Sequence, residues 1–174
     1  MSSTSAHARR SSWANGDPAD TPPGRRYVIR RGPAPALLVF DHVGMPEAGT
    51  QVPAGGIRPG EPPERAVVRE TAEETGVAAT VVRRLAVEEK PHPDTGLPRR
   101  TTFFLLHAPD EAPDSWLHQV GGEDGDAGFT FACRFVPLPL DGPLADGQDA
   151  WLASADPAWA TPGTPSAPAA AKCS

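Results

Sequence analysis

Cysteine is nearly absent: the 174 residues hold two, Cys133 and Cys173. One sits in the apolar run Phe131-Ala132-Cys133-Arg134-Phe135, the other beside the C-terminus. That excludes a disulfide framework or a thiolate zinc centre and fits a reducing compartment. Long apolar runs are missing too, since no stretch reaches the roughly 18 residues of a membrane helix. The leading MSSTSAHARRSSWANGD has no apolar core of the secretory kind, and Cys173 stands too near the end for a prenylation box. Histidines 7, 42, 92, 107 and 118 show no metal-ligand spacing. A broad basic surface is also lacking. The net charge is -6, and residues 1–31, with six arginines against Asp17 and Asp20, carry +4. The remainder therefore carries -10, which argues against a nucleic-acid surface. A cytoplasmic protein with no membrane and no stable nucleic-acid partner is expected.

Proline and glycine are plentiful, 22 and 17 residues, and concentrate at the ends and in loops. Residues 1–24 and 157–174, rich in Ser, Ala and Pro, read as disordered tails around one domain over 25–156. Within it Tyr27-Val28-Ile29 favours a strand, and Ala36–Phe40 is an apolar run of strand length suited to a central position. Val77–Val87 is β-branched and reads as one strand or two. Arg99–His107 is a further strand, and the turn region Lys90–Pro98 joins it to Val81–Glu88 as a hairpin. Trp116–His118 is a short element, Gly121–Gly128 an acidic glycine loop, and Phe129–Pro137 another strand. Leu144–Ala155 reads as a late short helix. Strands around one defined helix make an α+β (mixed α/β) domain.

That helix lies in Gly55–Val77, GGIRPGEPPERAVVRETAEETGV. Pro62 and Pro63 suit its first turn and Gly76 a left-handed end. Glu70, Glu73 and Glu74 stand at i, i+3 and i+4, so their carboxylates share a face. Like charges so placed cost roughly a few tenths of a kcal/mol per pair. A hard divalent cation, Mg²⁺ or Mn²⁺, would remove that conflict. Val67, Val68, Thr71, Ala72 and Thr75 form the stripe expected to pack on a core, leaving the acids to face outward. Before the helix, Pro53-Ala54-Gly55-Gly56 can make turns that side chains forbid.

The run resembles the Nudix box, G-x5-E-x7-R-E-U-x-E-E-x-G-U with U a bulky aliphatic. Gly55, Glu61, Arg69, Glu70, Glu73, Glu74, Gly76 and Val77 match. Thr71 departs from the aliphatic there; it lies on the packing face, so stability rather than chemistry should bear the change. The resemblance implies a Nudix-type α/β/α sandwich with a mixed β-sheet. It also implies Mg²⁺- or Mn²⁺-dependent hydrolysis of a nucleoside diphosphate linked to another moiety, such as a nucleotide, a nucleotide-sugar or an ADP-ribose-like compound. Glu70 and Glu74 would be the principal metal ligands, with Glu73 a further one. Arg69 would orient the glutamates, Glu61 would support the site or an outer metal, and the Gly55 carbonyl would reach the metal.

The general base varies in this family; Glu88, Glu89, Asp94, Glu123, Asp124 and Asp126 are candidates. Trp116, Phe129, Phe131 and Phe135 could stack on a base or pack in the core. A proline beyond the box accompanies ADP-ribose in some members; Pro91 and Pro93 lie near that offset, within a proline-rich turn. A homodimer is compatible with these expectations. The contrasting reading is a non-catalytic Nudix-fold nucleotide-binding module or regulator, for which a damaged box would speak; here every acid is kept.

Overall fold

The strands of this chain carry apolar residues at successive positions, so both faces of the sheet they form must be covered. The computed structural model describes residues 24–92, 95–121 and 127–165. In chain order it holds β1 (Gly24–Arg30), β2 (Ala36–His42), β3 (Ala54–Gly55), α1 (Pro63–Thr75), β4 (Thr80–Pro91), β5 (Pro98–His107), β6 (Ser115–Gln119), β7 (Thr130–Pro137) and α2 (Leu152–Ala155). The sheet order is β4-β5-β1-β2-β7-β6, with β3 also paired to β1. β1 runs parallel to β5, with Arg26 opposite Phe104, and every other pairing is antiparallel. The sheet is therefore mixed, and β2 is central in it.

Alternation along the strands sorts two cores. Val28, Leu38, Phe40, Phe104, Leu106, Phe131 and Cys133 point to the face covered by Val67 of α1. Tyr27, Ile29, Leu37, Val39, Phe103 and Leu105 point to the opposite face, against Trp151 and Leu152. The C-terminal segment is tied to that face by polar bonds as well. The Tyr27 hydroxyl donates to the Gln148 carbonyl at 2.6 Å, and Gln148 Oε1 accepts from the Val52 amide at 2.9 Å. The result is an α+β fold, a mixed sheet between two layers.

The second layer is thinner than expected. In place of a helix over Leu144–Ala155 stand a 3₁₀ turn at Ala145–Gly147 and the single turn of α2. Asp146 (φ 54) and Gly147 (φ 63) adopt left-handed backbone, which a continuing α-helix cannot include. The expected hairpin of β4 and β5 forms, with Val81 opposite Leu106 and Glu88 opposite Thr101 and irregularities between Val81 and Arg83 and between Arg84 and Ala86. Residues 1–23 and 166–174 lie outside the described residues; Gly24 already belongs to β1, and a 3₁₀ turn follows at Pro157–Trp159. Among the described residues no helix is long and apolar enough to cross a membrane.

Candidate active site

Helix α1 opens at Pro63 without a side-chain cap and closes at Gly76, whose left-handed backbone (φ 74) lets its amide bond the Ala72 carbonyl. Strand β6 completes that end. Trp116 Nε1 donates to the Thr75 carbonyl at 2.8 Å, the Gly121 amide donates to the Glu73 carbonyl at 3.1 Å, and His118 Nε2 lies 2.9 Å from the same carbonyl. These contacts satisfy carbonyls that a helix end leaves without partners. Trp116 thus serves the helix, while Phe131 stacks on Phe40 in the core with centroids 4.0 Å apart, and Phe135 is buried beside Arg30. Phe129 is partly exposed.

The acids do not all face outward, which corrects the expected division of the helix. Glu70 and Glu74 are 2% and 4% exposed, Ala72 is exposed and Val68 half-buried. Helix geometry explains this: 67, 70, 71 and 74 stand at i, i+3, i+4 and i+7, so both glutamates lie in the same stripe as Val67 and Thr71. Glu73 is displaced toward solvent. Thr71, fully buried, satisfies its hydroxyl on the Val67 carbonyl at 2.6 Å, and Thr75 repeats the arrangement on Thr71. The departure from an aliphatic at 71 therefore leaves no hydroxyl unsatisfied.

Two arginines make the buried acids tolerable. Arg69 is the hub. Its Nε and Nη2 reach the two Glu61 oxygens at 2.9 and 2.8 Å, its Nη1 reaches Glu70 Oε1 at 2.5 Å and Glu73 Oε2 at 3.1 Å, and Nη2 also bonds the Gly56 carbonyl at 3.2 Å. The Arg69 hydrogen bonds, with the Arg58 amide, hold the Glu61 carboxyl far below its usual range, at about 2. Reciprocally, Glu61 above all raises Arg69 further above its ordinary value.

Arg26 is the second partner, and sequence reading missed it. Its side chain is fully buried, and Nη1 bonds Glu74 Oε2 at 2.9 Å; the Ala54 amide donates to the same oxygen at 3.0 Å. Burial lowers the Arg26 pKa, opposed by Glu74 and then Glu70. The available signal was period-two alternation in Arg25-Arg26-Tyr27-Val28, which sends one arginine to each face of the strand. That 26 rather than 25 meets the glutamate depends on packing.

The glycine loop meets the acids directly. A Cβ built on Gly55 would lie 2.2 Å from Glu70 Oε2 and 2.4 Å from its Cδ. Gly55 is therefore a glycine by proximity, because its backbone is not left-handed. The structure brings Glu61, Glu70, Glu73, Arg69 and Gly55 together, and Arg26 pins Glu74 beneath the loop. The outlying candidates separate. Glu88 accepts from Trp151 Nε1 at 3.1 Å on the α2 side of the sheet, and Glu89 faces solvent beside Arg100. Asp94, Glu123, Asp124, Asp126 and Pro93 lie outside the described residues.

Among the described residues no three carboxylate, imidazole or thiolate groups stand where one ion could take them all. Arg69 fills the centre of the acids instead. The donor set nevertheless fits a hard divalent cation, since Glu61, Glu70, Glu73 and Glu74 offer carboxylate oxygens in one locality. Among the described residues their four charges meet those of Arg26, Arg69 and the more exposed Arg58, one cation fewer than the acids.

Fold and site together are those of a Nudix domain, and the NUDIX family model matches residues 21–152. The chain belongs to the Nudix hydrolase family. No curated protein matches it. Among solved structures it is similar to a UDP-X diphosphatase (19% identity, 66% of this chain, 50% of that one, TM-score 0.44). It is also similar to RenU, a Nudix hydrolase from M. smegmatis (22% identity, 67% and 70%, TM-score 0.43). A third is the NUDIX domain of Shewanella oneidensis NrtR, solved with ADP-ribose (17% identity, 72% and 80%, TM-score 0.46). The match spans half the length of the UDP-X diphosphatase chain.

Proposed function

We propose that this protein is a pyrophosphohydrolase that uses Mg²⁺ or Mn²⁺ to cleave the diphosphate of a nucleoside diphosphate linked to another moiety. The observation that carries the reading is the contact between Gly55 and Glu70: the glycine loop and a box carboxylate share one small space, walled by Glu74 and Arg26. A diphosphate is repelled by carboxylates unless cations stand between them. Glu70, Glu73 and Glu74, with Glu61 and the Gly55 carbonyl, would hold the metal. When bound, the ion would polarise phosphorus and lower the pKa of a coordinated water. The chain's own part is positional: Arg26 and the Ala54 amide fix Glu74, and Arg69 gathers Glu61, Glu70 and Glu73.

The test is a hydrolysis screen over nucleoside triphosphates, ADP-ribose, dinucleotides, nucleotide-sugars and coenzyme A, with Mg²⁺ or Mn²⁺ and with chelator. Glu73→Gln is the informative variant, because Glu73 is partly exposed and can lose charge without leaving a buried arginine unpaired. Glu74→Gln removes the partner of Arg26 and should lower the melting temperature together with turnover. Cleavage lost in Glu73→Gln and in chelator supports the enzyme. Normal turnover by both variants refutes the metal assignment. Silence over the panel with thermal stabilisation by one ligand would favour the binding module.

A further inference from the structure

A second charged cluster lies on the face of the sheet away from α1. Three cations from three strands converge on one loop carboxylate: Arg99 Nη2 is 2.7 Å from Asp146 Oδ2, Lys90 Nζ is 3.4 Å from Oδ1, and Arg25 Nη2 is 3.5 Å from Oδ2. Lys90 also donates to the Asp146 carbonyl at 2.6 Å. Among the described residues Glu88, 3.3 Å from Lys90, is the other acid there, so the described cluster holds one excess positive charge in an otherwise acidic body.

Three features go beyond a structural ion pair. Asp146 holds left-handed backbone (φ 54), uncommon outside glycine although aspartate tolerates it better than most residues, and this turn presents its carboxylate to the three cations. The buried Nε of Arg99 and the hydroxyl of Thr101, a residue 1% exposed on the same strand face, have no hydrogen-bond partner among the described residues. Burial and the charge of Arg99 both lower the Arg25 pKa, as expected where cations crowd faster than anions compensate.

The cluster also adjoins the candidate active site through the backbone. Arg25 is the Cα partner of Ala54, one residue before Gly55, and its neighbour Arg26 holds Glu74 on the other face. We propose that Arg25, Lys90 and Arg99, with Thr101, form a subsite for a phosphate group, and that Asp146 occupies it as a displaceable internal anion. The loop carrying Asp146 has glycines at 142 and 147 on which to move. The ligand phosphate is one carried by the substrate beyond the scissile diphosphate, a placement that rests on the proposed hydrolase reading; a free phosphate has the same chemistry.

Inorganic phosphate titrated calorimetrically into the full chain in EDTA tests the subsite without metal or turnover. Asp146→Asn removes the competing anion and keeps its shape, so it should bind phosphate at least about tenfold more tightly than the unaltered protein. Adding Arg99→Ala should abolish the gain. A folded Asp146→Asn protein with unchanged or weaker phosphate binding overturns the proposal. Should Asp146→Asn fail to fold, Lys90→Ala replaces it: weaker phosphate binding at an unchanged melting temperature supports the subsite, and equal binding overturns it. With active protein, a rise in KM but not kcat in Lys90→Ala, confined to substrates with an additional phosphate, assigns the site to substrate. Phosphate binding that leaves such a KM unaltered overturns the substrate placement. Turnover without the Asp146→Asn gain refutes the subsite and spares the hydrolase reading; the gain without turnover does the reverse.

Discussion

Replacing Gly55 by alanine adds one methyl at the most crowded point of the candidate site. The new Cβ would stand 2.2, 2.4 and 2.7 Å from Glu70 Oε2, Cδ and Cγ, inside any tolerable contact. Because three successive atoms of Glu70 are involved, rotating its carboxylate does not relieve the clash. Glu70 is 2% exposed and held by Arg69, so it has little space into which to retreat. Overpacking of this kind costs about 1–3 kcal/mol. At about 2–4 °C per kcal/mol, the melting temperature should fall by roughly 2–12 °C. Backbone strain adds nothing, since Gly55 is not left-handed. Gly142→Ala is the matched control, because its Cβ would meet nothing within 4 Å and should leave stability unchanged. Calorimetric melts in EDTA measure the packing cost, and Mg²⁺ titration of the same samples measures whether any response to the proposed ion changes with Glu70 displaced. A Gly55→Ala protein that melts with the unaltered chain and responds equally to Mg²⁺ would refute the contact.

Arg26→Met should cost about 3–5 kcal/mol in denaturant unfolding, because it removes the buried counter-charge of the Glu74 carboxylate; Arg26→Met/Glu74→Gln should recover part of the loss. Cys133, whose thiol is pushed up to about 12 by burial and then by the charge of Glu74, should resist thiol reagents at pH 8. In a Cys173→Ser background, reaction should begin only on unfolding. Asp146 should shape acid stability. Burial acts to raise its pKa, but the Arg99 hydrogen bond and the charges of Arg99, Lys90 and Arg25 hold it below 3.8. A carboxyl depressed in the folded state stabilises above its unfolded value and loses that contribution as pH falls through the folded value. Melts in that range should show the unaltered chain losing stability faster than Asp146→Asn; parallel curves would contradict the ion cluster.

The chain by itself determined the main strands, helix α1 and the identity of the box, but not the broken segment over Leu144–Ala155. The β-branched and aromatic runs around Tyr27-Val28-Ile29 and through Arg99–His107 specify strands, because such side chains fit a pleated surface buried on both faces. The spacing from Gly55 to Val77 specifies a glycine loop and a helix carrying glutamates at fixed offsets. What it did not determine is which side of that helix would be buried. The stripe 67, 70, 71, 74 mixes Val67 and Thr71 with two acids, and burying those acids becomes acceptable once Arg26 and Arg69 are in place. Arg26 arrives from a strand 48 residues away, held where it is by the parallel pairing of β1 with β5. The gathering of Arg25, Lys90, Arg99 and Asp146 is of the same kind: four charges from three strands and a loop, unremarkable in sequence. Local pattern fixes what a segment can be, since it depends on neighbours in the chain. Which charges face one another depends on sheet order and loop path, and only the tertiary structure decides those.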